Sequence, residues 1–139
     1  MVGSSSDAEF EKAKIVLNGM GKKFYNCGGP GMGEVAKLSN NLTLGINMIA
    51  SCEGLILGQK LGIDPKVLTE ILSVSTANNW CIDCQNPVPG VLPGAPSTNE
   101  YKGGFMGQLI RKDLALALEC ADSVDAKLRF ATKAVEYYS

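Results

Sequence analysis

The chain has 139 residues, enough for one domain or for a small domain carrying a fragment of a second. Apolar residues make up 45% and charged residues 19%, which excludes disorder by composition, and a net charge of -1 gives no electrostatic attraction for nucleic acid or an anionic membrane. There is no histidine, so imidazole acid–base catalysis, Ser-His-Asp triads and histidine-ligated metals are excluded, and proton transfer falls to Lys, Asp, Glu, Tyr or Cys.

Residues 1–6 lack the basic head and apolar run of a signal peptide. Ser6-Asp7-Ala8-Glu9 then reads as a capping box, and Phe10, Ala13, Leu17 and Met20 recur at helical spacing before Gly19 and Gly21 supply a stop. Residues 22–27 form a short strand candidate without the neighbouring strands that a sheet would need. The spacing therefore predicts that residues 1–29 are the end of an α/β domain lying mostly upstream, and that residues 30–139 form a helical domain.

A glycine-rich turn at residues 28–33 precedes a long apolar run over residues 34–61, a helix of roughly 40 Å if continuous. Leu38, Leu42, Ile46, Ile49, Leu55 and Ile56 give it a broad apolar face, expected at the centre of a bundle or in a subunit interface. Its most apolar stretch, residues 42–58, carries Asn47, Ser51 and Glu53 and is short and polar for a membrane span. Asp64-Pro65 starts the next helix, with Leu68, Ile71 and Leu72 facing the core. Residues 75–104 are loop-rich, with four prolines at 87, 89, 93 and 96, and an irregular stretch of this length is usually functional or packed on a partner. Helix returns over residues 105–120, and a last helix from about residue 124 runs to Ser139 without a cap or glycine, as expected of a chain cut short. The fold class expected is mainly α: a helical bundle around one long central helix, preceded by a short α/β remnant.

Gly31-Met32-Gly33 lets backbone approach a ligand at a helix N-terminus, and Lys37 and Asn41 follow four residues apart on one face. A cation and a neutral amide there could hold a hydroxyl and a carboxylate together; a solvated lysine after a capping turn would leave the same pattern. Gly31, Gly33 and Ala36 also fit a dinucleotide-binding G-x-G-x-x-A with Glu53 downstream, but no turn or strand separates them from the helix that follows. Cys81-Ile82-Asp83-Cys84 is a lone C-x-x-C; Cys27, Cys52 and Cys120 are not spaced as a second pair, so incidental thiols near a buried Trp80 are expected and no metal site. The odd, scattered cysteines suit a reducing compartment. Gly103-Gly104-Phe105 leads into a helix carrying Lys112 two turns on, an aromatic plane and a cation suited to a flat heterocycle.

Taken together, G-x-G-x-x-x-K-x-x-N-N at residues 31–41, L-G-I-D-P at 61–65, N-P-V-P-G-V at 86–91, G-G-F at 103–105 and K-D-L at 112–114 resemble the β-hydroxyacid dehydrogenases. The proline-rich loop and the following Gly94-Ala95-Pro96-Ser97 are most similar to the 3-hydroxyisobutyrate dehydrogenase branch. The resemblance runs along the whole chain and implies that an N-terminal NAD-binding Rossmann domain precedes this helical domain. It implies Lys37 as the catalytic lysine, Asn41 with Gly31 and Gly33 as substrate-binding, and Lys112 with Phe105 near the cofactor, while Asp113 reads as a structural partner. The implied reaction is NAD-dependent oxidation of 3-hydroxyisobutyrate to methylmalonate semialdehyde, a step of valine catabolism in the mitochondrial matrix, by a homo-oligomer joined through helical domains, with no nucleic-acid or membrane partner. The nucleotide-binding loop and first substrate loop are absent, so the fragment alone is expected to be inactive. A lysine can act as a base near neutral pH only where its surroundings favour the neutral amine; burial and the like charge of Lys112 are the sources the sequence offers. Two other readings share these residues: a tartronate semialdehyde reductase or related short-acid enzyme, and a non-catalytic helical oligomerisation module.

Overall fold

Six α-helices, one short 3-10 helix and no sheet make up the computed structural model, which describes residues 1–139. The chain divides into two compact units, Met1–Asn41 and Leu42–Ser139.

In the first unit, α1 (Asp7–Leu17) starts where the capping box lies: the Ser6 hydroxyl accepts from the Glu9 amide at 3.3 Å. The return half of the box is not made, because the Glu9 carboxylate takes the hydroxyl of Ser5 instead. The strand candidate at residues 22–27 shrinks to one isolated parallel bridge between Val2 and Asn26. Val2 donates to the Tyr25 carbonyl and Cys27 to the Val2 carbonyl, so the partner lies in residues 1–6, which carry no strand pattern. Two residues with nothing beyond them cannot propagate a ladder.

The long helix, α2 (Met32–Lys60), is continuous over 29 residues. In the second unit its later turns are the spine on which the other helices pack. Gly45 admits α5 (Gly107–Ser123), with Leu114 and Ile110 carbons 3.2–3.3 Å from where a Cβ would stand. Leu68 of α3 (Pro65–Val74) and Ile63 occupy the equivalent space at Gly58. Ser51 accepts from Asn79 at 3.2 Å, which caps the short α4 (Trp80–Cys84). The Tyr138 hydroxyl, just past α6 (Arg129–Tyr137), donates to the Gly45 carbonyl at 3.0 Å. Leu55, Ile82 and Leu114 are fully buried and mark the core.

Four expectations need correction. Only Gly45, Ser51 and Leu55 of α2 are buried, while Ile56 and Leu57 are 55% and 61% exposed, so the chain's own helices cover one side of it. At its full length α2 is long and apolar enough to cross a bilayer by length and composition alone, a pattern that core helices of soluble proteins share. Ile71 is exposed, and it is Thr69, with a polar partner, that α3 buries. The last helix begins at Arg129 rather than near residue 124, because residues 124–128 break the backbone with Asp125 at φ +54°.

Candidate active site

The start of α2 is built on close backbone packing. Gly31 has φ +88°, a conformation that glycine adopts without penalty. A Cβ on Gly33 would lie 3.1 Å from the Gly3 amide and the Met1 carbonyl, so the N-terminal segment lies directly against this turn. The two glycines thus have a structural job in the first unit. Lys37 follows one turn later, its ammonium 3.9 Å from the Glu34 carboxylate and its side chain 52% exposed. Asn41, four residues on, is half-buried and accepts from the Asn40 amide at 3.1 Å. Helical geometry sets Lys37 and Asn41 on one face, as their spacing required. The cation's neighbour within its own unit is an anion; burial and a second cation are not supplied there.

The second unit holds an open cleft of about 800 Å³ lined by Gln85, Pro96, Ser97, Gly104, Phe105 and Gln108, among others. Its lining carries no Lys, Arg, Asp or Glu. The wall turns sharply through Gly103 and Gly104, both at positive φ, and delivers Phe105 just ahead of α5 rather than on it. Such a surface, part apolar and part neutral hydrogen-bonding, suits a flat ligand and presents no charged side chain. Lys112 lies further along α5; its ammonium is 2.6 Å from the carboxylate of Asp113, which is buried while Lys112 itself is half exposed. Asp113 therefore fixes the cation in place.

Beside the cleft, a recess of about 60 Å³ is lined by Leu44, Met48, Trp80, Phe105, Ile110 and Tyr138, with Gln85 and Gly107. Trp80 is 49% exposed, not buried as its place beside the cysteines suggested. It and Gln85 line this recess with no sequence signal beyond a lone tryptophan in a loop-rich stretch, since Trp80 and Phe105 are 25 residues apart in sequence.

The C-x-x-C splits: Cys81 is buried against the core and Cys84 is exposed, and all five cysteines are free. Burial, reinforced by Cys52, pushes the Cys81 thiol up to about 11. Burial, and then Glu53, also raises Cys52. Both are thiols at neutral pH, poor nucleophiles and poor ligands, and no group of three Cys, Asp or Glu side chains is disposed around a metal position.

Residues 31–139 match the family described as NAD-binding of NADP-dependent 3-hydroxyisobutyrate dehydrogenase. The chain is 44% identical over 138 residues to the probable mitochondrial 3-hydroxyisobutyrate dehydrogenase of Arabidopsis thaliana, covering 99% of this chain and 40% of that protein. It is 42% identical over 139 residues to the 3-hydroxyisobutyrate dehydrogenase of Pseudomonas aeruginosa, covering 100% of this chain and 46% of that one. A solved structure of the Mycobacterium tuberculosis 3-hydroxyisobutyrate dehydrogenase with L-serine superposes with a TM-score of 0.94 at 34% identity, over 99% of this chain and 47% of that one. The chain thus spans less than half the length of the relatives it matches, one named as mitochondrial and one bacterial. Since the match takes in the Lys37 helix, the proline-rich loop and the Phe105 turn together, the chain belongs to the NAD-binding family of 3-hydroxyisobutyrate dehydrogenases.

Proposed function

We propose that the whole protein oxidises 3-hydroxyisobutyrate to methylmalonate semialdehyde with NAD, and that this chain contributes the proton-handling lysine and the wall for the cofactor's flat nicotinamide end. The observation that carries the reading is the charge-free cleft behind Gly103, Gly104 and Phe105, in a chain whose Lys37 and Asn41 share a helix face. When bound, NAD supplies the hydride acceptor. Phe105 and the bare backbone of Gly103 and Gly104 receive its flat ring, and Gln85 and Gln108 offer neutral hydrogen bonds to a carboxamide. Lys112, its ammonium paired with Asp113, belongs to the cofactor side of the same proposal. Lys37 takes the proton from the substrate hydroxyl, Asn41 orients the substrate, and Gly31 and Gly33 set their helix close to the chain.

For Lys37 to accept a proton, the remainder of the whole protein must desolvate it and draw it from Glu34. In that protein residues 1–29 end the Rossmann domain and residues 30–139 form the helical one. Self-association through the exposed apolar side of α2 at Ile56 and Leu57, continued by Leu61 just beyond its end, belongs to the same proposal, as does a mitochondrial matrix location in a eukaryotic cell.

The test is turnover by the full-length protein, with NAD and NADP compared, on 3-hydroxyisobutyrate, tartronate semialdehyde in the reverse direction, and serine. The expected result is preferred turnover of 3-hydroxyisobutyrate with NAD, by a species that sediments as an oligomer. Preferred reduction of tartronate semialdehyde would move the protein to the related reductases, and a self-associating protein inactive on all three would make it an assembly module.

A further inference from the structure

The loop of residues 85–104 contains the most constrained backbone in the chain. Glu100 and Tyr101, neither of them glycine, sit at φ +53° and +58°, and Gly103 and Gly104 follow at +84° and +71°. Left-handed conformations at non-glycine residues are costly and persist only where the surroundings over-determine them. Here those surroundings converge on Asn86, which is wholly buried. Its amide nitrogen donates to the Thr69 hydroxyl on α3 at 3.0 Å, and its side-chain oxygen accepts from the Val88 amide at 2.9 Å. Its backbone carbonyl accepts from Ser97 at 2.6 Å, at the 3-10 helix Pro96–Asn99. The Tyr101 hydroxyl closes the ring by donating to the Pro87 carbonyl at 3.2 Å. From the 3-10 helix, Pro96 reaches the cleft wall, its Cγ 2.5 Å from where a Cβ on Gly104 would stand. Every polar atom of the cluster is matched, and no buried side-chain nitrogen or oxygen lacks a partner.

We propose that Asn86 is a positioning residue that, braced by Thr69 from behind and by Ser97 across the loop, sets the Gly103–Gly104–Phe105 turn in the shape that receives the cofactor's flat end. The proposal rests on the dehydrogenase reading for the identity of that ligand, but the coupling from Thr69 to the turn does not. Thr69 is outside the cleft lining, so substituting it touches no ligand. Thr69→Val keeps the volume and removes the acceptor for Asn86, and Thr69→Ser restores it.

The experiment uses full-length protein, with two readouts: NAD affinity, and amide hydrogen exchange over residues 100–107. Thr69→Val is expected to weaken NAD binding by about fivefold, the fold-change of one neutral hydrogen bond, and to speed exchange in that segment, with Thr69→Ser near wild type on both. If Thr69→Val does not fold, Ser97→Ala serves for the exchange readout. Unchanged exchange at residues 100–107, with or without a lower melting temperature, overturns the proposal. Wild-type protein that binds no NAD would defeat the dehydrogenase reading instead, and faster exchange in Thr69→Val would still support the brace.

Discussion

Burial holds the thiol of Cys81 and the phenol of Tyr138 protonated beyond their ordinary range, the former to about 11 and the latter to about 12. For Tyr138 the main cause is burial, with Cys81 and Cys52 adding to it, and the retained proton is donated to the Gly45 carbonyl. The sign follows directly: both groups have a raised value in the folded state, so their contribution is complete below the unfolded values of 9.0 and 10.0 and is lost as pH climbs through the folded ones. Urea unfolding should therefore show stability falling on the alkaline side, from about pH 9 upward, by something on the order of 1 kcal/mol per group once solvent screening is allowed for. Cys81→Ala should remove the thiol's share of that alkaline slope. A slope unchanged by the substitution would mean that Cys81 ionises as freely in the folded protein as in the unfolded chain.

The starts of α1 and α3 were legible because their chemistry is local, whereas α5 and α6 begin at Gly107 and Arg129, later than the periodicity places them. Asp64 accepts from the Lys66 and Val67 amides at 2.8 and 3.2 Å, with Pro65 at the first helical position, and all of this is written in three consecutive residue types. Asp64→Ala should cost about 1 kcal/mol, read as a lower urea midpoint with unchanged m-value; no loss would mean that packing of Leu68, not the cap, holds the start of α3. The continuous α2 was legible for a similar reason, since nothing in residues 34–60 breaks a helix. What stayed hidden depends on residues distant in sequence. Val2 finds Asn26, Asn86 finds Thr69, and Trp80 and Phe105 line one recess, and no periodicity announces any of these pairs. The apolar ring around α2 asks for neighbours on all sides, yet the chain's own helices cover one side of it, and composition cannot say whether further neighbours exist. Lys37 and Asn41 were readable as a pair from helical spacing, whereas their chemical role came from likeness to a family.

At the level of the full chain, this protein is a helical part with a cleft lined by uncharged side chains, and the relatives it matches are more than twice its length. The ammonium of Lys37 is half exposed and lies beside Glu34; under the proposed mechanism it gives up its proton and serves as the base once the rest of the protein covers it. Under that mechanism binding and chemistry should separate cleanly, because Phe105 and Lys37 lie on different stretches of chain. The decisive comparison is full-length Lys37→Ala against wild type, with kcat for 3-hydroxyisobutyrate and NAD affinity measured on the same preparation. Loss of general base catalysis predicts a kcat lower by about 10²–10⁴-fold, with NAD bound as tightly as before. Turnover retained at the wild-type level would remove Lys37 from the chemistry and contradict the mechanism proposed for this family member.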